Sequence, residues 1–282
     1  MSDPSTASSN TASSNTVLSQ TDPVNTDSEP LLAVSGVSLK FGGVDALTDV
    51  SFSVAPGELF GLIGPNGAGK TSILNCLNGV YKPQRGVITL GGRSVIAMKP
   101  HEAAEAGISR TFQNLALFTN LSAFDNLMLG RHHLMRVGAV AGALWWGPAR
   151  REEIAHRRRC AEIIDLLDLG PYRRMPVGLL PYGIQKRIEL GRALAMDPTL
   201  LLLDEPVAGM NNEETEDMAA HILEIRSELG VAMILVEHHL DLVMDLVDRL
   251  MVLAFGKVVA TGLPVDIQKD QRVIDAYLGS RS

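Results

Sequence analysis

The sequence predicts an α/β fold built on a largely parallel sheet with helices on both faces. Three observations carry that expectation. Beyond Pro181, helix-like and strand-like runs alternate: Gln185 to Ala195, Thr199 to Leu203, Glu213 to Leu229, Val231 to Val236, Leu240 to Val247. Strands separated by helices return to the sheet as parallel crossovers. Upstream, the glycine-rich turn Gly64-Pro65-Asn66-Gly67-Ala68-Gly69-Lys70-Thr71-Ser72 joins an apolar run ending at Ile63 to a helical run starting at Ser72. Downstream, a leucine strand, Leu200 to Leu203, runs into the acid pair Asp204-Glu205.

Taken in chain order, residues 1–30 are Ser, Thr, Asn, Asp and Pro with few large apolar side chains. They cannot bury enough surface to offset ordering entropy and are expected to form a disordered tail. They contain no Lys or Arg and no apolar core, unlike a secretory signal. From Leu31 strand patterns begin: Leu32 to Val34, Val37 to Phe41, a Gly42-Gly43 turn, then Leu47 to Val54 in partial alternation. Pro56-Gly57 turns the chain into a buried strand, Glu58 to Ile63, and Val87 to Leu90 with Gly91-Gly92 reads as another strand and turn. Helical spacing dominates from Phe124 to Leu169. Pro148 suits the first position of a helix ending at Gly170, with Ile154, Ala161, Ile164 and Leu167 on one face. Met251 to Leu253 and Val258 to Ala260 read as a hairpin around Gly256-Lys257.

Composition narrows the function. The 282 residues, 46% hydrophobic and 20% charged, suit one large or two small globular domains. A net charge of −7, from 32 acidic and 25 basic residues, argues against broad binding to nucleic acid. Cys76 and Cys160 have no metal-ligand or disulfide-framework spacing, which fits a reducing, cytosolic setting. No apolar stretch approaches the ~20 residues that span a bilayer; Val137 to Trp146 is about half that length. Work at a membrane would therefore require docking to something embedded there.

The glycine turn matches the phosphate-binding pattern G-x-x-x-x-G-K-[ST]. Backbone N–H groups of Gly64 to Ser72 can close around phosphate oxygens, at a helix N-terminus whose dipole favours negative charge. Lys70 would reach the β- and γ-phosphates of a nucleoside triphosphate, and the Thr71 hydroxyl would hold Mg²⁺. In a parallel sheet ligands sit beyond the carboxyl ends of strands, so Asp204 and Glu205 fall beside the turn. Asp204 would hold Mg²⁺ through water, and Glu205 would orient or deprotonate the attacking water.

The run Leu180-Pro181-Tyr182-Gly183-Ile184-Gln185, continuing to Leu194, resembles the signature segment of ATP-binding cassette (ABC) proteins, which normally begins Leu-Ser-Gly-Gly-Gln. The resemblance covers Leu31 to the C-terminus. It implies an ABC-type P-loop ATPase: a RecA-like parallel-sheet core, an antiparallel β subdomain and an inserted α-helical subdomain at about 114–185, all within a domain spanning 31–282. By the same resemblance Phe41 is the aromatic that stacks on adenine, and Gln113 senses Mg²⁺ and water. His238 contacts the γ-phosphate, and Ala208 to Asn211 form a loop crossing a dimer interface. His238 ends a buried strand beside Asp204 and Glu205 and is preferred over His239. His101, His132, His133, His156 and His221 read as solvated. Pro181, Tyr182 and Gly183 would face the γ-phosphate held by a partner ATPase, which the family places head to tail across two nucleotides. Two departures stand out: Pro181 replaces the usual serine and Ile184 the usual glutamine. Asn211 replaces an aspartate. A signature weakened toward the partner's site, with a complete own-side set, is the resulting expectation.

Shorter strings are similar to the ATPases of branched-chain amino-acid importers: Phe41-Gly42-Gly43, Arg110 to Asn114, Pro206 to Asn211, Val236 to His239, and Val273 to Gly279. That resemblance implies permease partners, a second ATPase (a different one or a second copy of this chain), an extracytoplasmic binding protein, and a peripheral position on the cytoplasmic face of the membrane. The rival readings are a lipopolysaccharide-export type ATPase and a soluble, non-transport ABC ATPase. Gly138 to Trp146 is expected either to pack inside the helical subdomain or to form an apolar surface that docks to the permease or grazes the bilayer, and Arg157-Arg158-Arg159 to form a solvated helix face or one that meets lipid headgroups.

Overall fold

The computed structural model describes residues 29–111, 117–135 and 148–278. The greater part of the expected tail, Gln113, and the Gly138 to Trp146 stretch lie outside the described residues. Two sheets organise the chain. The first is antiparallel, in the order β2-β1-β4-β5, from β1 (Leu32–Phe41), β2 (Val44–Val54), β4 (Arg85–Leu90) and β5 (Arg93–Ser94). The second has the order β10-β9-β3-β8-β7-β6, from β3 (Leu59–Ile63), β6 (Ile108–Arg110), β7 (Leu200–Asp204), β8 (Ala232–Val236), β9 (Arg249–Ala254) and β10 (Lys257–Gly262). Its strands run parallel from β9 to β6, and β10 closes one edge antiparallel. The α/β class read from the alternation is the observed one.

Strands β3, β7 and β8 are buried at every residue, as parallel strands covered on both faces must be. Alternation along them feeds two cores. Leu59, Ile63, Leu201, Leu203, Met233 and Leu235 join the helices on one face. Phe60, Leu62, Leu200, Leu202 and Ile234 join β1, β2 and β4 on the other. Helix α1 (Lys70–Leu77) enters that second core through Ile73, Leu74 and Leu77, so the turn before it is fixed by packing against both sheets.

The remaining helices are α2 (Pro100–Glu105), α3 (Ala123–Gly130), α4 (Pro148–Leu166), α5 (Tyr182–Leu194), α6 (Asn212–Leu229), α7 (Leu240–Leu246), α8 (Pro264–Ile267) and α9 (Gln271–Leu278). Helices α3 to α5 fill the chain between β6 and β7 and pack on one another. The inward face of α4 is Cys160, Ile163 and Ile164, followed by Leu167; Ile154, expected on that face, is 55% exposed. The arginine run there is a surface row of ion pairs, Arg157 with Glu153, Arg158 with Glu162 and Arg159 with Asp197. Two histidines depart from the solvated expectation. His156 is buried and accepts from Arg131 Nε at 2.8 Å, and His221 is buried 3.2 Å from Arg187. The C-terminal hairpin is present, with its turn at Phe255-Gly256, one residue earlier than predicted.

Candidate nucleotide site

At the carboxyl edge of the parallel sheet lies an open cleft of about 550 Å³. Asn66 to Ser72, Glu205 and His238 line it, together with Val44, Asp45, Ala46, Phe255 and Gly256. The backbone explains the glycines. Gly64 sits at φ 149, where an added Cβ would lie 2.0 Å from the Leu253 carbonyl oxygen. Gly69, at φ 107, occupies the N-cap of α1 with no side-chain cap, so the first amides of that helix are left facing the cleft. Both positions reject any side chain, and both bring bare backbone to where an anion binds.

Lys70 is buried, and its Nζ donates to the carbonyls of Gly64 at 2.7 Å and Pro65 at 3.1 Å. Burial pulls its pKa down, and the Glu205 and Asp204 carboxylates pull the other way. The ammonium is thus folded over its own loop, close to the carboxylates at the end of β7.

Asp204 ends β7 in a buried position, and Arg110, from the adjacent strand β6, reaches it: Nη2 lies 2.5 Å from Oδ2. The other arm of the guanidinium donates to Asn75 Oδ1 at 2.6 Å. Glu205 follows at φ 51, a left-handed conformation uncommon outside glycine, with its N–H donating to the Val236 carbonyl at 2.9 Å. That turn swings its carboxylate against His238 Nε2, with which it pairs. Strained backbone of this kind concentrates where a side chain must be aimed at a ligand.

Glu237 was not singled out by the sequence as a site residue. It is buried, and its carboxylate accepts from the backbone N–H of Val207 at 3.1 Å and of His238 at 3.0 Å. Burial raises its pKa, against the pull of those two N–H groups. One carboxylate therefore ties the loop after β7 to the segment that carries His238.

The signature segment stands apart from this cleft. Pro181 is the N-cap of α5, at φ −54 and ψ 152, and supplies no side-chain cap. The Tyr182 hydroxyl donates to the Ala208 carbonyl at 3.2 Å, and its ring lies over Gly209. Gly183 is pressed against Glu214, where a Cβ would meet the carboxylate at 2.5 Å. Glu214 in turn forms a reciprocal capping box with Asn211, whose Oδ1 accepts from the Glu214 N–H at 2.9 Å. The Asn211 side chain is thus engaged in starting α6. The signature and the Ala208 to Asn211 loop form one joined surface.

The structure therefore brings together Asn66 to Ser72, Glu205 and His238 in one cleft, with Asp204 behind them. Pro181, Tyr182 and Gly183 are not in that cleft, and Gln113 lies outside the described residues. Phe41 is not among the lining residues either. It is half exposed, packs edge-to-face on Tyr81 with centroids 4.9 Å apart, and pairs across the β1–β2 turn with Val44. Sequence reading missed Arg110, Glu237, Phe255 and Tyr277. The Tyr277 hydroxyl, on α9, hydrogen-bonds the Gly64 backbone, and burial pushes its pKa up to about 12. The C-terminal helix so reaches the first glycine of the phosphate loop.

Comparison with known proteins identifies the family. Residues 47–208 match the family model described as ABC transporter, and residues 257–281 that described as branched-chain amino acid ATP-binding cassette transporter. The chain is 38% identical over 252 residues to the high-affinity branched-chain amino acid transport ATP-binding protein BraF of Pseudomonas aeruginosa, covering 89% of this chain and 99% of BraF. It is 37% identical to LivG of Escherichia coli, of the same description, with the same coverage. Among solved structures, the ADP conformation of MJ1267, an ATP-binding cassette of an ABC transporter, superposes with TM-score 0.78 at 28% identity, covering 89% of this chain and all of that one. A nucleotide-free cassette from an ABC transporter superposes with TM-score 0.77 at 28% identity, covering 88% and 99%. On these matches the chain belongs to the ATP-binding subunits of ABC transporters, in the branched-chain amino-acid branch of that ATPase family.

Proposed function

We propose that this ATPase powers a membrane importer of branched-chain or related amino acids, and that it hydrolyses ATP with its own loop, acid pair and histidine. The meeting of Asn66 to Ser72, Glu205 and His238 in one cleft is the observation that carries the reading. Lys70 would leave the Gly64 and Pro65 carbonyls for the β- and γ-phosphate oxygens. Glu205, held by His238, would orient or deprotonate the attacking water, and His238 would meet the γ-phosphate. The hydroxyl of Thr71 and the carboxylate of Asp204 are hard oxygen donors suited to Mg²⁺, with Gln113 joining them. For Asp204 to join, Arg110 must give up or share the carboxylate.

The second nucleotide partner in this reading is another ABC ATPase, most simply a different one, whose γ-phosphate would meet the Pro181-Tyr182-Gly183 end of α5. Among the described residues no helix is long and apolar enough to cross a membrane. Phe118, Leu121, Met175 and Leu179 expose apolar side chains on two segments joined by backbone hydrogen bonds, Val177 N–H to Leu121 and Gly178 N–H to Thr119. This apolar surface, on the segments that lead into α3 and α5, supports docking to permease subunits at the cytoplasmic face of the membrane. An extracytoplasmic binding protein would then contact the permeases only. Copurification tests the reading. Two permeases and a second ATPase support it; a homodimer bound to lipopolysaccharide-export permeases refutes it.

A further inference from the structure

Glu205 and His238 meet in the cleft from the ends of two different strands, β7 and β8. The parallel register between those strands runs to Asp204 and Val236. One more backbone bond, from the Glu205 N–H to the Val236 carbonyl at 2.9 Å, fixes Glu205. His238 lies beyond that ladder, and its side chain is 40% exposed, so core packing does little to hold it. The Glu237 carboxylate supplies the hold. Its Oε2 accepts from the His238 N–H at 3.0 Å, and its Oε1 from the Val207 N–H at 3.1 Å. Glu237 and Val207 are both buried, so the tie is anchored in the interior. Two N–H groups on two segments call for two acceptor oxygens, which a carboxylate supplies and an amide does not. Burying an acid is costly, and these two bonds offset part of that cost.

We propose that Glu237 is a positioning residue for hydrolysis, setting the Glu205–His238 pair by holding the segments after β7 and β8 at one fixed separation. This rests on the reading of the cleft as a site of ATP hydrolysis. Glu237 is not among the residues lining the cleft. It therefore acts on turnover through the pair and leaves ATP binding to Lys70 and the phosphate loop.

The test is ATP hydrolysis beside ATP binding in the assembled transporter carrying Glu237→Gln, measured well below its thermal midpoint. Glutamine keeps the length of the side chain and puts an N–H donor where one acceptor stood. Turnover, as kcat, should fall about 10- to 100-fold, the scale of a misplacement of about 1 Å, with ATP affinity unchanged. Glu237→Asp keeps both acceptors one methylene short and should lose less; it carries the same comparison if the glutamine variant does not assemble. In a His238→Ala background Glu237→Gln should cost far less than alone, because the pair it sets is already gone. An unchanged kcat, an equal loss of kcat and ATP affinity, or a fully additive loss in the double variant overturns the proposal. If the unsubstituted complex binds ATP without hydrolysing it, the hydrolytic reading of the cleft fails as well, a result distinct from those three.

Discussion

Removing Arg110 probes how the acid at the end of β7 is held without nucleotide. Arg110 and Asp204 are both buried, 2.5 Å apart, and the guanidinium is braced by Asn75. Arg110→Met preserves much of the apolar stem and removes the charge, leaving a carboxylate that is almost fully enclosed. Breaking a buried pair from one side costs about 3–5 kcal/mol, because the remaining ion has lost its compensation. Lys70 lies close enough to interact with Asp204, so the lower figure, about 3 kcal/mol, is expected. At about 2–4 °C per kcal/mol for a domain of this size, the thermal midpoint should fall by about 6–12 °C. Far-UV circular dichroism on the nucleotide-free chain reads the shift. The double variant Arg110→Met/Asp204→Leu should recover most of it, since replacing both members of a buried pair with apolar groups is close to neutral. A single variant that melts within about 1 °C of the parent, or a double variant no better than the single, would refute the account.

Two further outcomes follow from the same geometry. Glu58 and Glu237 are buried carboxylates whose folded pKa values are raised by burial, so the folded state holds protons more tightly than the unfolded one above pH 4.5. Their contribution to stability therefore falls as pH rises from 4.5 through the raised values. Glu237→Gln should flatten that part of the melting-temperature profile, and a profile parallel to the parent's would count against it. Pro181→Ser places a hydroxyl at an N-cap that has none, and should raise stability by about 1 kcal/mol. In an assembled transporter it should also raise steady-state ATPase, and no change would remove the weakened-signature reading.

Much of the fold was legible because local and global signals agree. The leucines of β7 and the apolar run of β8 are buried on both faces, which is what continuous apolar strands require. The phosphate loop was legible because its glycines answer local backbone demands, at Gly64 and Gly69 above all. Asp204 and Glu205 followed from a strand end on one edge of a parallel sheet, and His238 from the family resemblance. Arg110 was hidden because its role depends on β6, three residues long, lying beside β7. His156 and His221 are buried only because Arg131 and Arg187, distant in sequence, come to meet them. Phe255 looked like one end of a hairpin, and only the hydrogen bond from Gly256 to Ala68 shows that the hairpin borders the cleft. Ile154 has helical spacing, yet the buried side of α4 centres on Cys160, Ile163 and Ile164.

The most direct measurement of the central claim is ATP turnover beside ATP binding on one preparation of the Glu205→Gln variant. Glutamine keeps the side chain's size and its contact with His238 while removing the base. Turnover at this site should fall by about 10²- to 10⁴-fold, with ATP still bound and recoverable unhydrolysed. Unaltered turnover would contradict the assignment of Glu205 and, with it, the hydrolytic role of the cleft.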